Sequence, residues 1–363
     1  MQKYSFLSVF LNFKSKNEKM ILITGATGLV GGNLIWQLLQ ENERVVAIRR
    51  PNSNPDALYA IFSFYTPTPE LFLARIDWKI GDVLDEESIQ VAMHGISIVY
   101  HCAAIVSFDK KDEDISVTNI TGTRNVVRAA LENKINKLCF VSSIAACGKA
   151  LTGDQIDESS IWSDDQNRSV YSQSKYYSEQ EVWKGIKQGL NAVIVNPGVI
   201  LGVSGSETGS SQLFIQVQKG LLFYTNGGSG YIDVRDVVKA MIQLTKSDIS
   251  AERFILVGEN CSNKEILNWM SDGFGKQHPF IPLGQTVLLV AGCFLELAGR
   301  LFHFHPIIDR GIARTIGQRE FYSNRKIFNA LGIRFNPIKQ CILEICNFQK
   351  KVPIKLPGTY LKE

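Results

Sequence analysis

The feature that most constrains this chain is a glycine-rich segment close to its beginning. Residues 20–36 read MILITGATGLVGGNLIW, in which Gly25, Gly28 and Gly31 separate two apolar runs. In a strand–turn–helix unit the first glycine permits a tight turn, the second admits a phosphate close to the backbone, and the third lets the helix pack on the strand. The apolar runs on both sides supply the required context. The segment therefore predicts a dinucleotide-binding βα unit; the alternative is an ordinary tight turn.

The helix that follows such a turn presents unpaired N–H groups and partial positive charge at its N-terminus. Both attract a pyrophosphate. The cofactor contacts predicted in this segment are Gly25, Thr27, Gly28, Leu29, Val30 and Gly31.

Residues at the ends of the next two predicted strands bear on the adenosine half of the cofactor. The second strand, RVVAI, is followed by Arg49 and Arg50 rather than by an acidic residue. An acid there would bind the ribose 2′-hydroxyl of NAD, whereas arginine accepts the 2′-phosphate of NADP. NADP is the preferred cofactor and NAD the alternative, since either arginine could also point to solvent. Asp82, in GDVLD, is a candidate acceptor for the adenine amino group or a cap for the following helix.

Apolar runs of strand length alternate with longer segments of helical period along the first two thirds of the chain. Alternation of this kind is typical of βαβ units and a doubly wound (Rossmann) parallel sheet of the α/β class. Long helices are predicted over residues 117–133 and 172–188. The predicted strands are 20–24, 44–48, 78–80, 98–102, 137–141, 192–196 and 253–257.

The chain of 363 residues is long enough for one large core and a second lobe. We expect a disordered extension over 1–19, a dinucleotide-binding domain over 20–200, and a smaller, mostly helical substrate-binding lobe over 201–363 that interleaves with it. The formal net charge is only +4 and no Lys/Arg block is present. A nucleic-acid partner is therefore not expected.

Cysteine usage and apolar runs indicate where such a chain works. The seven cysteines are scattered without a CxxC pair or metal-ligand spacing, which favours a reducing, cytoplasmic setting and no bound metal. Residues 1–19 lack a small-residue cleavage site, so a signal peptide is not expected. The apolar run that begins segment 287–302 is far shorter than the ~20 residues that span a bilayer. It predicts a buried helix, with the wall of an apolar pocket or a membrane-touching face as alternatives.

A tyrosine and a lysine four residues apart are the candidate chemical centre. Tyr171 and Lys175, in VYSQSKYY, share one face of the predicted helix. A phenol ionises near pH ~10, and a neighbouring ammonium group stabilises the phenolate needed for acid–base chemistry. Ser143 follows the strand LCFV at the sheet edge where ligands bind, and its hydroxyl can hold a substrate oxygen. A lone YxxxK could equally be a surface pair.

Taken together, the segments resemble a known family. TGATGLVGG, GDVLD, HCAAIVSF, NITGTRNV, FVSSIAACG, YSQSK and NPGVILG occur in the order and spacing typical of extended short-chain dehydrogenase/reductases, over residues 20–335. The resemblance implies that Tyr171 is the catalytic acid/base, that Lys175 orients the ribose and lowers the pKa of the tyrosine, and that Ser143 binds the reacting oxygen. Ser142 is the neighbouring alternative to Ser143. The further cofactor contacts that the resemblance implies are Asp82, Val83, Ala103, Ala104, Asn119, Pro197, Gly198 and Val199.

The branch of the family is indicated by smaller differences. The nucleotide-sugar dehydratases carry an Asp-Glu pair after the catalytic hydroxyl residue, whereas this chain has Ile144 and Ala145. In sugar epimerases a tyrosine usually precedes the glycine of that motif, whereas Cys147 precedes Gly148 here. The stretch DESSIWSDDQNRSVYSQSK is similar to dihydroflavonol-reductase-like members, and YSNRKIFNALGIRFNP to 3β-hydroxysteroid dehydrogenases.

This closer resemblance implies hydride transfer between NADP(H) and a ketone, aldehyde or secondary alcohol on a moderately apolar small molecule. A nucleotide-sugar epimerase with tightly held NAD, and a dinucleotide-binding protein without catalysis, are the alternatives. Members of the family often form dimers through two long helices, so a homodimer through 117–133 and 172–188 is a further expectation.

Overall fold

The structure is a computed structural model that describes residues 20–106, 112–150, 155–163, 168–205, 209–284, 286–287 and 317–351. The predicted extension over 1–19 lies outside the described residues. So does all but the first residue of the apolar segment 287–302.

Fourteen strands occur in the described part of the chain. In chain order they are β1 (Met20–Thr24), β2 (Arg44–Arg49), β3 (Asp77–Ile80), β4 (Ile98–His101), β5 (Lys137–Val141), β6 (Gln155–Ile156), β7 (Ala192–Pro197), β8 (Val199–Leu201), β9 (Phe223–Thr225), β10 (Gly228–Asp233), β11 (Glu252–Leu256), β12 (Glu259–Ser262), β13 (Ile281–Leu283) and β14 (Phe321–Tyr322).

The helices connect these strands. They are α1 (Leu29–Gln40), α2 (Ala57–Ser63), α3 (Pro69–Leu73), α4 (Glu86–Met93), α5 (Asp112–Ser116), α6 (Gly122–Glu132), α7 (Val170–Lys187), α8 (Ser211–Gln218), α9 (Val234–Lys246), α10 (Asn263–Phe274), α11 (Arg325–Leu331) and α12 (Ile338–Lys351). A π-helical turn, Val117–Thr121, joins α5 to α6, and a 3₁₀ turn, Ile144–Ala146, follows β5.

Seven parallel strands form the central sheet, in the order β11-β7-β5-β4-β1-β2-β3. The chain winds outward from β1 in one direction through β2 and β3, and in the other through β4, β5, β7 and β11. The strand order reverses between β1 and β4, and ligands bind beyond the carboxyl ends of the strands at such a point. The doubly wound parallel sheet is thus confirmed.

Helices cover both faces of this sheet. On one face α1 and α9 bury Leu34, Leu38 and Met241 completely, and on the other α6 and α7 bury Val126 and Val182. Because both faces are covered, the strands are apolar throughout rather than alternating. The sheet is therefore a rigid platform on which the loops at its carboxyl edge are held.

A second lobe forms beside the carboxyl edge. A three-stranded sheet in the order β12-β10-β8 packs with α8, α10 and α12 around a separate apolar core that includes Phe214, Met270 and Ile342. The thiols of Cys341 and Cys346 are buried in this core, as expected for small apolar side chains. Both α9 and β11 lie beyond residue 200, yet they pack on and extend the central sheet.

None of the described helices is both long and apolar enough to cross a bilayer. Within the same ranges, no group of three or more His, Cys, Asp or Glu side chains is suited to hold a metal ion.

Candidate active site

The glycine-rich turn has the geometry that its sequence predicts. Gly25 adopts φ +68°, and a Cβ atom there would lie 2.6 Å from the backbone nitrogen of Ala103. A Cβ on Gly31 would lie 2.2 Å from the Gly25 carbonyl oxygen. Only glycine fits either position. Gly28 is exposed and is the N-cap of α1, so no capping side chain covers the first N–H groups of the helix. The turn fits a dinucleotide pyrophosphate.

A hydrogen-bonded chain fixes the loop after β4 against this turn. The Thr24 hydroxyl contacts Nδ1 of His101 at 2.7 Å and accepts a hydrogen bond from the backbone N–H of Ala103 at 3.2 Å. Nε2 of His101 contacts the Thr123 hydroxyl at 3.1 Å. Burial lowers the pKa of His101 to about 3, so this imidazole is neutral. These hydrogen bonds hold the loop that contains Ala103 and Ala104 next to the glycine-rich turn.

Asn119, predicted along the cofactor, lies in the π-helical turn and is buried. Its amide forms a pair of hydrogen bonds with the backbone of Ile105, with Oδ1 accepting at 2.8 Å and Nδ2 donating at 3.2 Å. Nδ2 also donates to the Ser174 hydroxyl at 2.9 Å. Asn119 thereby ties the loop after β4 to α7, a link between distant segments that the sequence pattern did not reveal.

The residues predicted at the adenine lie at the end of β3. Oδ1 of Asp82 accepts a hydrogen bond from the Leu84 N–H at 3.0 Å, whereas Asp85 accepts from Ser88 and is the N-cap of α4. Asp82 is therefore not the cap of the following helix. Val83 is buried, and its carbonyl accepts from the Asn125 side chain.

The two arginines after β2 differ in their surroundings. Arg49 is half-buried, with its guanidinium 5.9 Å from the ring centre of Trp78, and Arg50 is exposed. No carboxylate of the described residues forms an ion pair with either side chain. Both arginines lie at the carboxyl edge of the sheet, on the same side as the glycine-rich turn.

The structure brings Ser143 and Tyr171 together. Ser143 is the N-cap of the 3₁₀ turn after β5, and its hydroxyl accepts a hydrogen bond from the Ala145 N–H at 3.1 Å. The side chain of Ser143 lies close enough to the Tyr171 phenol to influence its ionisation. Burial raises the pKa of the Tyr171 phenol, and the Ser143 side chain acts against that rise. Lowering of this pKa by Lys175 stays a prediction.

Lys175 lies one turn further along α7 and is 3% exposed. Its Nζ donates to the Val141 carbonyl at 2.8 Å and lies 5.1 Å from the ring centre of Phe140. Burial lowers the pKa of this lysine to about 8, although the charge of Glu179 raises it. The ammonium group therefore lies at the end of β5, where it binds the carbonyl two residues before Ser143.

Ser142, the alternative to Ser143, points elsewhere. Its hydroxyl donates to Oε1 of Glu179 at 2.6 Å, and both side chains are buried. Three polar residues that the sequence analysis did not single out, Glu179, Asn196 and Arg253, meet at this point. The sequence did contain a signal for this cluster. Glu179 is a charged residue on the apolar face of a predicted helix, and Asn196 and Arg253 are polar residues in predicted apolar strands.

The segment predicted near the nicotinamide begins where β7 ends. Pro197 and Gly198 are buried, and Val199 is half-buried. A Cβ on Gly198 would lie 2.3 Å from the Gly230 carbonyl oxygen, so glycine is required for β7 to pass close to β10. The close approach brings the second lobe against the carboxyl edge near Ser143.

Comparisons with known proteins agree with this geometry. The sequence pattern of the NAD dependent epimerase/dehydratase family matches residues 21–258, so the chain belongs to that family. A Synechocystis protein named "Putative dihydroflavonol 4-reductase" is 32% identical over 337 residues, which cover 89% of this chain and 92% of that protein. Cinnamoyl-CoA reductase 1 of Petunia hybrida is 25% identical over 359 residues, which cover 95% of this chain and 96% of that protein. The crystal structure of gox2253 has a TM-score of 0.76 at 26% identity, covering 92% and 98%.

The buried lysine predicts a pH-dependent stability. Because the pKa of Lys175 is about 8 in the folded chain and near 10.5 when unfolded, the unfolded state binds more protons between these values. The free energy of unfolding of the wild type, relative to Lys175→Met, should therefore rise from pH 7 to 10 by on the order of 2 kcal/mol. Urea titrations at several pH values would measure the difference. Lys184→Met, which removes an exposed lysine of the same helix, should show no such pH dependence.

Proposed function

We propose that this protein is a reductase that transfers a hydride between NADP(H) and a carbonyl or secondary alcohol group of a moderately apolar small molecule. The observation that carries the proposal is the grouping of Ser143, Tyr171 and the buried Lys175, whose Nζ binds the carbonyl at the end of β5, at the carboxyl edge of the sheet. Relatives named as reductases support it, since they match over more than nine tenths of their length.

Each group has a distinct role in this proposal. NADPH supplies the hydride when bound. Ser143 donates the hydrogen of its hydroxyl to the carbonyl oxygen of the substrate, while its own oxygen accepts from the Ala145 N–H. Tyr171 gives its proton to the same oxygen as the carbonyl is reduced, and takes it back in the reverse direction. Lys175, charged at neutral pH, stabilises the phenolate that remains.

The residues after Ser143 favour reduction over dehydration. Ile144 is buried and Ala145 is half-buried, and neither can transfer a proton. The 3₁₀ turn therefore carries none of the carboxylates that a dehydratase of this family needs beside the substrate. Tyr171 is the group left to exchange a proton with the substrate.

The reaction is tested with purified protein, NADPH and a panel of ketones and aldehydes, followed by loss of absorbance at the reduced nicotinamide. Turnover of at least one carbonyl substrate is expected. Turnover of a UDP-sugar with none of any carbonyl, together with NAD that stays bound through purification, would instead favour the epimerase.

The cofactor preference is a separate prediction. Arg50 is exposed at the end of β2, so Arg50→Ala should raise the Kd of NADPH about tenfold and leave that of NADH unchanged, since a charged hydrogen bond to phosphate contributes about 1.5–3 kcal/mol. Fluorescence titration with both cofactors measures this. Arg44→Ala, at the opposite end of the same strand, is the matched control. Equal losses for the two cofactors would contradict a contact with the 2′-phosphate.

A further inference from the structure

One carboxylate is fully buried beneath the proposed catalytic residues. Glu179 lies one turn after Lys175 on α7 and is 0% exposed. The two side chains share the face of α7 that packs on the central sheet. A buried carboxylate is costly unless its charge is compensated, so its surroundings indicate what it does there.

Four elements meet at this carboxylate. Oε1 of Glu179 accepts hydrogen bonds from the Ser142 hydroxyl, at the end of β5, and from Nδ2 of Asn196, in β7. Nη1 of Arg253, in β11, lies 3.5 Å from Oε2, which accepts no hydrogen bond from the described residues. Nδ2 of Asn196 also donates to the Ser143 carbonyl at 2.9 Å. The carboxylate thus fixes the backbone on either side of Ser143 relative to α7.

Lys175 has few other groups to compensate its charge. From β4, burial keeps His101 neutral and raises the pKa of the Cys102 thiol to about 12. The thiol of Cys147, near the 3₁₀ turn, also has its pKa raised by burial. Tyr171 is a neutral phenol. Among the described residues Glu179 is therefore the carboxyl group whose charge acts on Lys175, and its hydrogen bonds from Ser142 and Asn196 favour the ionised form against the burial that raises its pKa.

The other charged residues on helices and strands near Lys175 are exposed or paired with different groups. Glu113 and Asp114 of α5 are exposed. Arg124 of α6 pairs with Glu181 on the outer side of α7 at 3.2 Å. Arg253 contacts Oε2 and also donates to the Glu158 carbonyl at 2.7 Å, so it shares its charge with the loop before α7.

We propose that Glu179 is a positioning residue that keeps Lys175 protonated at neutral pH and holds Ser143 in place through Ser142 and Asn196. The consequence for catalysis rests on the proposed roles of Lys175 and Ser143. The effect of Glu179 on the charge of Lys175 does not depend on those roles, because it can be measured in the protein without cofactor or substrate. A protonated Lys175 is what the neighbouring phenol requires in order to ionise.

The test is a pH titration of the lysine side chains by carbon-13 NMR, with Lys175 assigned from its absence in Lys175→Met. The wild-type midpoint is expected near pH 8. In Glu179→Gln, which keeps the shape and removes the charge, the midpoint should fall by at least about one unit, a tenfold change in the ionisation constant. Glu181→Gln, two residues further along the same helix, should leave it unchanged. An unchanged midpoint in Glu179→Gln would overturn the proposal.

A measurement on the wild type remains informative if the Gln variant does not fold. The carboxyl carbon of Glu179, assigned with Glu179→Asp, should have the resonance of an ionised group at pH 7. A protonated carboxyl at that pH cannot hold Lys175 charged, and this result would also overturn the proposal. Because neither experiment measures turnover, their outcome is independent of whether the protein reduces carbonyls.

The catalytic effect is read from pH profiles. In Glu179→Gln the alkaline fall of kcat should move to lower pH by the same interval as the Lys175 midpoint, while Glu181→Gln keeps the wild-type profile. A uniform loss of kcat at all pH values would show that Glu179 acts on packing alone, and would contradict the electrostatic role.

Discussion

Replacing Tyr171 with phenylalanine should lower kcat for carbonyl reduction by about 100- to 10,000-fold, the usual contribution of a positioned acid or base. The side chain of Ser143 acts on this hydroxyl, and removal of the hydroxyl takes away the proposed proton donor without changing the ring. Stability and cofactor affinity should stay close to those of the wild type. Steady-state kinetics, thermal unfolding and NADPH titration measure the three quantities separately.

Tyr176→Phe provides a control on the same helix. The Tyr176 ring stacks on Trp162 at 4.3 Å between ring centres, and a phenylalanine ring keeps that contact. We expect nearly wild-type kcat in this variant. If Tyr171→Phe also kept most of its activity, another group would have to be the acid. If neither variant nor the wild type turned over any substrate while all bound dinucleotide, the non-catalytic alternative would be favoured.

Gly25→Ala should destabilise the whole domain. Its positive φ costs an L-residue about 1–2 kcal/mol, and the added Cβ would lie 2.6 Å from the backbone nitrogen of Ala103. Because this neighbour is backbone rather than a flexible side chain, relief requires movement of the loop after β4. We expect a loss of about 2–4 kcal/mol in the free energy of unfolding, measured by urea titration, and loss of dinucleotide binding.

Gly189→Ala separates the two causes of that loss. Gly189 has φ +99°, but a Cβ there would meet nothing within 4 Å. The control variant should therefore lose only about 1–2 kcal/mol, the backbone part of the effect, and should bind dinucleotide normally. Equal destabilisation of the two variants would mean that the contact between the glycine-rich turn and the β4 loop contributes little.

Much of the scaffold could be predicted because its signals are local. The strand and helix periods placed the central strands to within one or two residues, and the seven-stranded parallel sheet followed from their alternation. The first helix begins at Leu29, directly after the second glycine of the turn, because the Gly32 N–H already donates a helical hydrogen bond to the Gly28 carbonyl. The predicted helix over 117–133 is α-helical from Gly122 and begins with the π-helical turn.

In the candidate site, too, the features that depend on local sequence could be predicted and the others could not. Tyr171 and Lys175 are four residues apart on a helix, and this spacing placed them on one face. The glycine-rich turn could be interpreted from the apolar runs on either side of it. The choice of Ser143 over Ser142 rested on the family resemblance alone, since both serines follow the same strand. The structure directs Ser143 to the phenol and Ser142 to Glu179, since Ser143 still has extended backbone and successive side chains of extended backbone point to opposite sides.

The sequence by itself determined the dinucleotide turn, the doubly wound sheet and the Tyr171–Lys175 pair, because each depends on residues a few positions apart. Only the tertiary structure decided that Asn119 binds the loop after β4 and that Glu179 joins Ser142, Asn196 and Arg253. Those contacts connect strands and helices that are distant along the chain. Their burial and mutual charge exist only after the sheet has formed and its edges have come together.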